Sequence, residues 1–575
     1  IEQTPRELHV SANVQGVLAA RIDRLEPEEK ELLQQLAVIG RSFPLGLVRK
    51  VVSQSEDELY RLLSSLQAKE FLYEQPALAE VEYIFKHALT QEVAYGTVLQ
   101  EQRKALHEQT ASAMDTLYSA NLEDHYGELA HHYTRSGNAE KAIEYLHLAG
   151  QHAIRQSANE EAIGYLTQGL SLVTDIEDEL ARAQYELTLQ MALGAPIMNA
   201  KGYGAPELEA VFNRARELSH ELEETPQLFG AIAGLWIFHA NGRAPLKTAR
   251  ELVEQLLRLA QQQDDSGLFV VAHLAMAYTL SVQAELPAAR VHFDQGIGLY
   301  DAPQHRSLIS FFGLDFGVAA HSLSALTLWL LGYPDQANER STEALTLAQE
   351  LAYPYSLAWA LALAAMFHTW RGDMQTAEAQ VEAGVTRSRE LGFTLPLAWG
   401  IIVHGRTLAE QGQYERGIGE ACEGLDILEK AGSDALVPFY LALLTEMYGK
   451  DDRAQEGLAV SIGALELCNR RGDRWCEAEL YRLKGEMTLQ SHGKHPTSAV
   501  QQEAEVCFEK ALEIAREQSA KSWELRAATS LARLWQRQDK EAEAHELLSD
   551  IYNWFTEGFD TKDLRDAKAL LEELG

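Results

Sequence analysis

The chain has 575 residues, of which 46% are apolar, with four cysteines and a formal charge of −35 at pH 7. That length exceeds what one hydrophobic core organises and predicts several domains or a long repeat array. The acidity argues against broad contact with a nucleic-acid backbone or anionic lipid, which need a cationic surface. With no apolar run near the roughly 18 residues of a membrane helix and no signal-peptide pattern at the start, the predicted address is cytoplasmic. Cys422, Cys468, Cys476 and Cys507 form no C-x-x-C pair and lie in helical patterns, so they read as reduced, packed thiols.

Two amphipathic helices are predicted first, over Val14–Leu25 and Pro27–Ile39, then a short helix near Leu45–Val52 after the break at Gly40, Ser42 and Pro44. Ser55 with Glu58 three residues on predicts a capping-box start for a helix ending near Leu66. Phe71–Glu74 and Val81–Phe85, separated by a turn through Pro76, read as two short strands. Helices followed by a hairpin describe a winged helix, predicted for a domain over residues 1–105. Its recognition helix would carry Glu56, Asp57 and Glu58 against only Arg61, which is poor equipment for DNA phosphates.

Residues 106–575 are predicted to form a mainly α, tetratricopeptide-like solenoid. Ala130, Tyr133, Gly137, Ala142, Leu146 and Ala149 fit the spacing of its first unit. Further on a period of 40 residues appears: Gly332, Gly372 and Gly412; Ala337, Ala377, Gly417 and Gly457; Ala344, Gly384, Gly424 and Ala464. Small residues recurring in step are the signature of helical hairpins that stack to bury a continuous core. Two irregularities are expected, a loop over 194–206 and an extended turn near 491–500. By tetratricopeptide geometry the concave face would carry Trp329, Trp359, Met366, Trp370, Trp399, Arg406 and Glu410 as a partner-binding groove for a protein or peptide, aromatics and Arg being favoured at binding hot spots. The competing expectation is that these tryptophans pack between repeats.

Three segments carry a family resemblance: Gln15–Leu25, Leu36–Phe43, and Tyr83–Tyr95. They resemble the region after the ATPase core in bacterial STAND-type signalling NTPases, most of all those joining a class III adenylate/guanylate cyclase domain, an AAA-like ATPase and a tetratricopeptide array. Lys201–Pro206 and Trp554–Leu570 extend the resemblance along the chain. It implies an ATPase domain in cis, ATP or ADP as the parent protein's cofactor, and a start at Ile1 that lies inside a longer polypeptide. It also implies that His87, just after the second strand, senses the nucleotide's phosphates when the ATPase domain is present; imidazole can donate to a phosphate oxygen and titrates near neutral pH. The alternative is a histidine that caps or packs the next helix.

No catalytic residue, metal ligand or cofactor site is expected within the segment itself, so it reads as non-enzymatic. No G-x-x-x-x-G-K-[ST] loop occurs, Lys450 and Lys494 following glycines without the rest of the motif. His125, Glu128, His131 and His132 fail the H-E-x-x-H order and fit a repeat helix instead. The favoured function is a regulatory sensor module controlling a nucleotide switch and its effector. A stand-alone interaction scaffold and a winged-helix transcriptional regulator are the alternatives.

Overall fold

A computed structural model describes residues 12–76, 81–223, 225–493 and 495–575. Residues 1–11, 77–80, 224 and 494 lie outside the described residues. The chain divides into two compact units, one running to His152 with Gly164–Tyr185, the other comprising Ala153–Ile163 and Glu186–Gly575.

The first unit begins as a small α+β domain. Helices Ala12–Ile22, Pro27–Ile39, Leu45–Val51 and Glu56–Ala68 surround a three-stranded antiparallel sheet of β1 (Ser42–Pro44), β2 (Leu72–Pro76) and β3 (Val81–Phe85), in the order β1-β3-β2. β1 went unpredicted because three residues ending in proline show no alternation; its pairing with β3, Phe43 opposite Tyr83, is what defines it. The helix at Pro27 starts with proline in its first turn, where no amide is needed, and with the Glu29 carboxylate accepting the Glu26 N–H. The capping box predicted at Ser55 does not form, since its side chain accepts no amide. The acids Glu56, Asp57 and Glu58 occupy that first turn instead, where the helix dipole favours negative charge. Leu32, Leu33, Leu36, Leu59, Leu62, Leu66, Phe43 and Phe85 share one core. Helices Ala88–Gly96, Gln100–Leu117 and Tyr126–Ser136 follow.

The second unit is an array of helical hairpins, so the chain as a whole is a mainly α, tetratricopeptide-like solenoid preceded by the small α+β domain. One helix of each hairpin is buried nearly all round, as in Pro354–Arg371, whereas its mate, as in Met374–Leu391, buries one stripe. The periodic glycines mark the turns between them: Gly332, Gly372 and Gly412 have φ of 90°, 81° and 84°, a left-handed conformation that costs glycine nothing. The next small-residue register sets how closely helices approach. A Cβ on Gly405 would collide with the Gly417 carbonyl, and one on Gly417 with the Gly405 carbonyl.

The loop expected from Gly194 is a correction: the helix Glu179–Lys201 runs through it with Pro196 inside. Gly194 is there for packing, because a Cβ would strike the Phe212 ring. The expected turn near 491–500 is narrower, lying between helices Glu477–Ser491 and Ser498–Glu517.

Contacts between distant hairpins show that this array coils back on itself. The Asn241 carbonyl accepts the amides of Asp434 and Ala435 at 3.0 and 3.2 Å, and Arg471 donates to the Ala240 carbonyl across 231 residues of sequence. The Ser522 hydroxyl donates to the Trp329 carbonyl across 193, and Glu557 accepts the amides of Asp335 and Gln336.

Candidate functional site: the inner face of the C-terminal hairpins

The coiling decides the fate of the predicted groove. Trp329, Trp359, Met366, Trp370 and Trp399 are between 0 and 6% exposed, so an open aromatic groove at these positions is corrected to an interior. Their faces meet other buried helices. Trp329 packs on Trp370 and Trp523 with centroids 4.7 and 5.0 Å apart, and Trp359 meets Trp399 edge to face at 6.0 Å. Trp359 also borders a small apolar cavity of about 60 Å³ with Tyr203, Trp236 and Phe312.

Farther along the same inner face the aromatic seal opens into a charged cavity of about 330 Å³, and here Trp370, Arg406 and Glu410 do come together. The repeat explains its composition. Starting from Trp399, Arg406 and Glu410, a step of 40 residues reaches Phe439, Glu446 and Lys450, and another reaches Glu479, Glu486 and Gln490. The next hairpin follows a turn longer by seven residues, so the matching step from Glu479 and Glu486 lands on Arg526 and Arg533. All but Trp399 line the cavity, together with Arg482, Lys562 and Asp563. These partners were within reach of the sequence, since the period that selected Arg406 also selects Glu446 and Glu486.

The charges form a lattice. Glu446 is its hub, 2.9 Å from Arg406, 3.3 Å from Arg482 and 2.8 Å from Arg526. Glu479 pairs with Arg482 and Arg526 at 2.7 and 2.9 Å, and Glu410 with Arg406 and Lys450 at 2.6 and 2.5 Å. Burial pushes the Glu446 carboxyl up, but the surrounding Arg406, Arg526 and Arg482 outweigh it and hold the carboxyl well below the usual range. Burial and the neighbouring Arg406 both lower the Lys450 ammonium. A carboxylate shared among guanidinium groups in a charged cavity can exchange partners with an incoming charged ligand.

In the first unit, His87 stands exposed at the start of helix Ala88–Gly96; its carbonyl accepts the Thr90 amide and its side chain makes no cap. Arg61 pairs with Glu28 and Glu58 at 2.9 and 2.7 Å. His132 is buried with its Nδ1 2.9 Å from His107 Nδ1, and burial pushes the two imidazoles down to about 4 and about 3. His125 pairs with Glu128 at 3.0 Å. Among the described residues no group of three or more acidic, His or Cys side chains could hold a metal, and no helix is long and apolar enough to cross a membrane.

No family model matches the sequence. The chain is 24% identical over 539 residues to an uncharacterized protein of Rhizobium meliloti (strain 1021), matching 93% of this chain and 51% of that protein. It therefore spans about half the length of the curated relative it matches. Among solved structures it is similar to a STAND protein with a tetratricopeptide repeat sensor from Pyrococcus horikoshii, with a TM-score of 0.29 and 13% identity, covering 100% of this chain and 67% of that one. It is also similar to the quorum sensor NprR from B. thuringiensis, with a TM-score of 0.40 and 12% identity, covering 65% and 99%. Neither superimposes closely enough to carry a residue's role to this chain.

Proposed function

We propose that the chain is a non-catalytic regulatory module that takes a protein, peptide or small ligand at the inner face of its solenoid and controls a linked nucleotide-switch ATPase and its effector, a nucleotidyl cyclase being the candidate effector. The observation that carries this reading is the charged cavity, placed where consecutive hairpins present the same repeat position to one shared space. Because successive hairpins each contribute side chains to the lattice, a ligand that pulls on several of them changes how neighbouring hairpins pack. A ligand preferring one packing shifts the population toward it, while equal affinity shifts nothing. The α+β domain, read as a winged helix, would be the lid that couples the array to the nucleotide domain, with the exposed His87 facing the phosphates.

The test uses the full-length parent protein. Arg533→Glu at the cavity should change ATP turnover or cyclase output, and His87→Ala should weaken the response to nucleotide without unfolding the lid. Output identical to wild type in both variants would sink the regulatory reading. The scaffold alternative predicts capture of partners without nucleotide dependence. The DNA-binding alternative is disfavoured by Arg61, which is already engaged by two carboxylates.

A further inference from the structure

The charge bookkeeping of the cavity is unequal. Its wall carries six cationic side chains and five carboxylates in a chain whose overall charge is −35. Every one of those carboxylates is already engaged: Glu486, the least obvious, accepts the Ser530 hydroxyl at 2.7 Å, and Asp563 lies 3.7 Å from Arg526. Of the cations, Arg406 and Arg533 are not. Arg406 is 9% exposed, yet only its Nη2 is paired, and its Nε and Nη1 have no hydrogen-bond partner. Arg533 is exposed at the cavity and makes no ion pair among the described residues, and Lys562 is held only by Asp566 in its own helix. Buried donors without acceptors are costly, so the Arg406 guanidinium favours an oxygen acceptor beside it. Beside the charges lie Trp370, Phe439, Leu443, Leu483 and Met487, which offer an apolar wall.

We infer that the cavity binds a small organic anion, its oxyanion head taken by Arg406 and Arg533 and its short apolar body laid against Trp370 and Phe439. The volume of about 330 Å³ sits at the low end of small-molecule sites and is too small for a folded partner. Carboxylate and phosphate monoester heads share this chemistry, and the guanidinium fork suits both. The inference rests on the ligand-binding reading above and gives it a chemical class.

The experiment is calorimetric titration of the whole chain with four probes: phenylacetate, phenyl phosphate, the neutral phenylacetamide, and inorganic phosphate. Saturable binding of phenylacetate or phenyl phosphate is expected, the tighter of the two identifying the head group. Phenylacetamide and inorganic phosphate should each bind at least about tenfold more weakly. Arg406→Gln should weaken the preferred anion about tenfold or more. Should that variant not fold, Arg533→Gln, at an exposed side chain, should weaken it at least threefold with an unchanged circular dichroism spectrum. Equal binding of phenylacetamide, no binding of either aromatic anion, or indifference to Arg533→Gln would overturn the inference. If the parent's output still changed with Arg533→Glu while none of these anions bound, the regulatory reading would stand and the anion assignment would fall.

Discussion

The inner face of the second unit is built from one repeat position used in two ways. In helices Pro354–Arg371 and Thr394–Glu410 it presents Trp359 and Trp399, which meet each other and close the space. In Val437–Lys450, Glu477–Ser491 and Lys521–Gln536 the corresponding residues are Phe439, Glu479 and Arg526, and the space stays open and charged. The backbone scaffold is the same in both stretches. What differs is whether the side chains can satisfy one another without solvent: indole rings do so by dispersion and edge-to-face packing, whereas guanidinium and carboxylate groups need a dense lattice or a polar guest. The helix Thr394–Glu410 shows both regimes, with Trp399 at its sealed end and Arg406 and Glu410 at its charged end.

The largest effect is expected from removing the hub of the charged stretch. Glu446→Ala leaves Arg406, Arg482 and Arg526 crowded without their common carboxylate and should cost about 3–5 kcal/mol, read as a fall in the urea midpoint of the second unit. Gly405→Ala acts on the helix that joins the two regimes. Its new methyl would strike the Gly417 backbone, which cannot rotate away, so a loss of about 1–3 kcal/mol is expected in the same assay.

A buried acid outside the lattice sharpens the contrast. Both Asp473 side-chain oxygens lack hydrogen-bond partners, and burial pushes its carboxyl up to about 7, against which Arg471 pulls down. Its folded pKa lies above the unfolded value of 3.8, so the folded state binds the extra proton. The contribution of Asp473 to stability should therefore rise as pH falls from about 8 toward 4. Asp473→Asn should stabilise the protein by about 1–2 kcal/mol at pH 8, with the gain shrinking toward pH 4 in thermal melts. The lattice hub Glu446, held low by its partners, should show no such gain when neutralised. The smallest effect belongs to the sealed stretch: Trp399→Phe removes an indole N–H that has no partner, and should cost about 1 kcal/mol or less.

Much of this was legible in the sequence where the cause is local. The helix Pro27–Ile39 is bounded as expected because proline starts it and Gly40 ends it. The turn glycines follow from a backbone that needs positive φ, and Asp452, at φ 55°, takes the next place in that register because a short polar side chain tolerates it. The closure of the groove was not legible. It depends on pairs such as Ser522 with Trp329, 193 residues apart, and nothing in a 40-residue period says how tightly an array coils. Pro196 misled for a similar reason, tertiary packing around Gly194 and Phe212 overriding a local breaker. Arg406 and Glu410 line the charged cavity, but the lattice they join was missed by stopping the register three hairpins early.

The contrast between sealed and open stretches can be measured at one repeat position. Met366→Cys and Glu486→Cys occupy the same register, three 40-residue repeats apart, and can be compared in a Cys422→Ser background because the other native cysteines are buried. With a negatively charged methanethiosulfonate reagent, Glu486→Cys should be modified in the folded protein at least about a hundredfold faster than Met366→Cys, and faster than by the positively charged reagent of similar size. Equal rates at the two positions would contradict the distinction between a sealed and an open inner face.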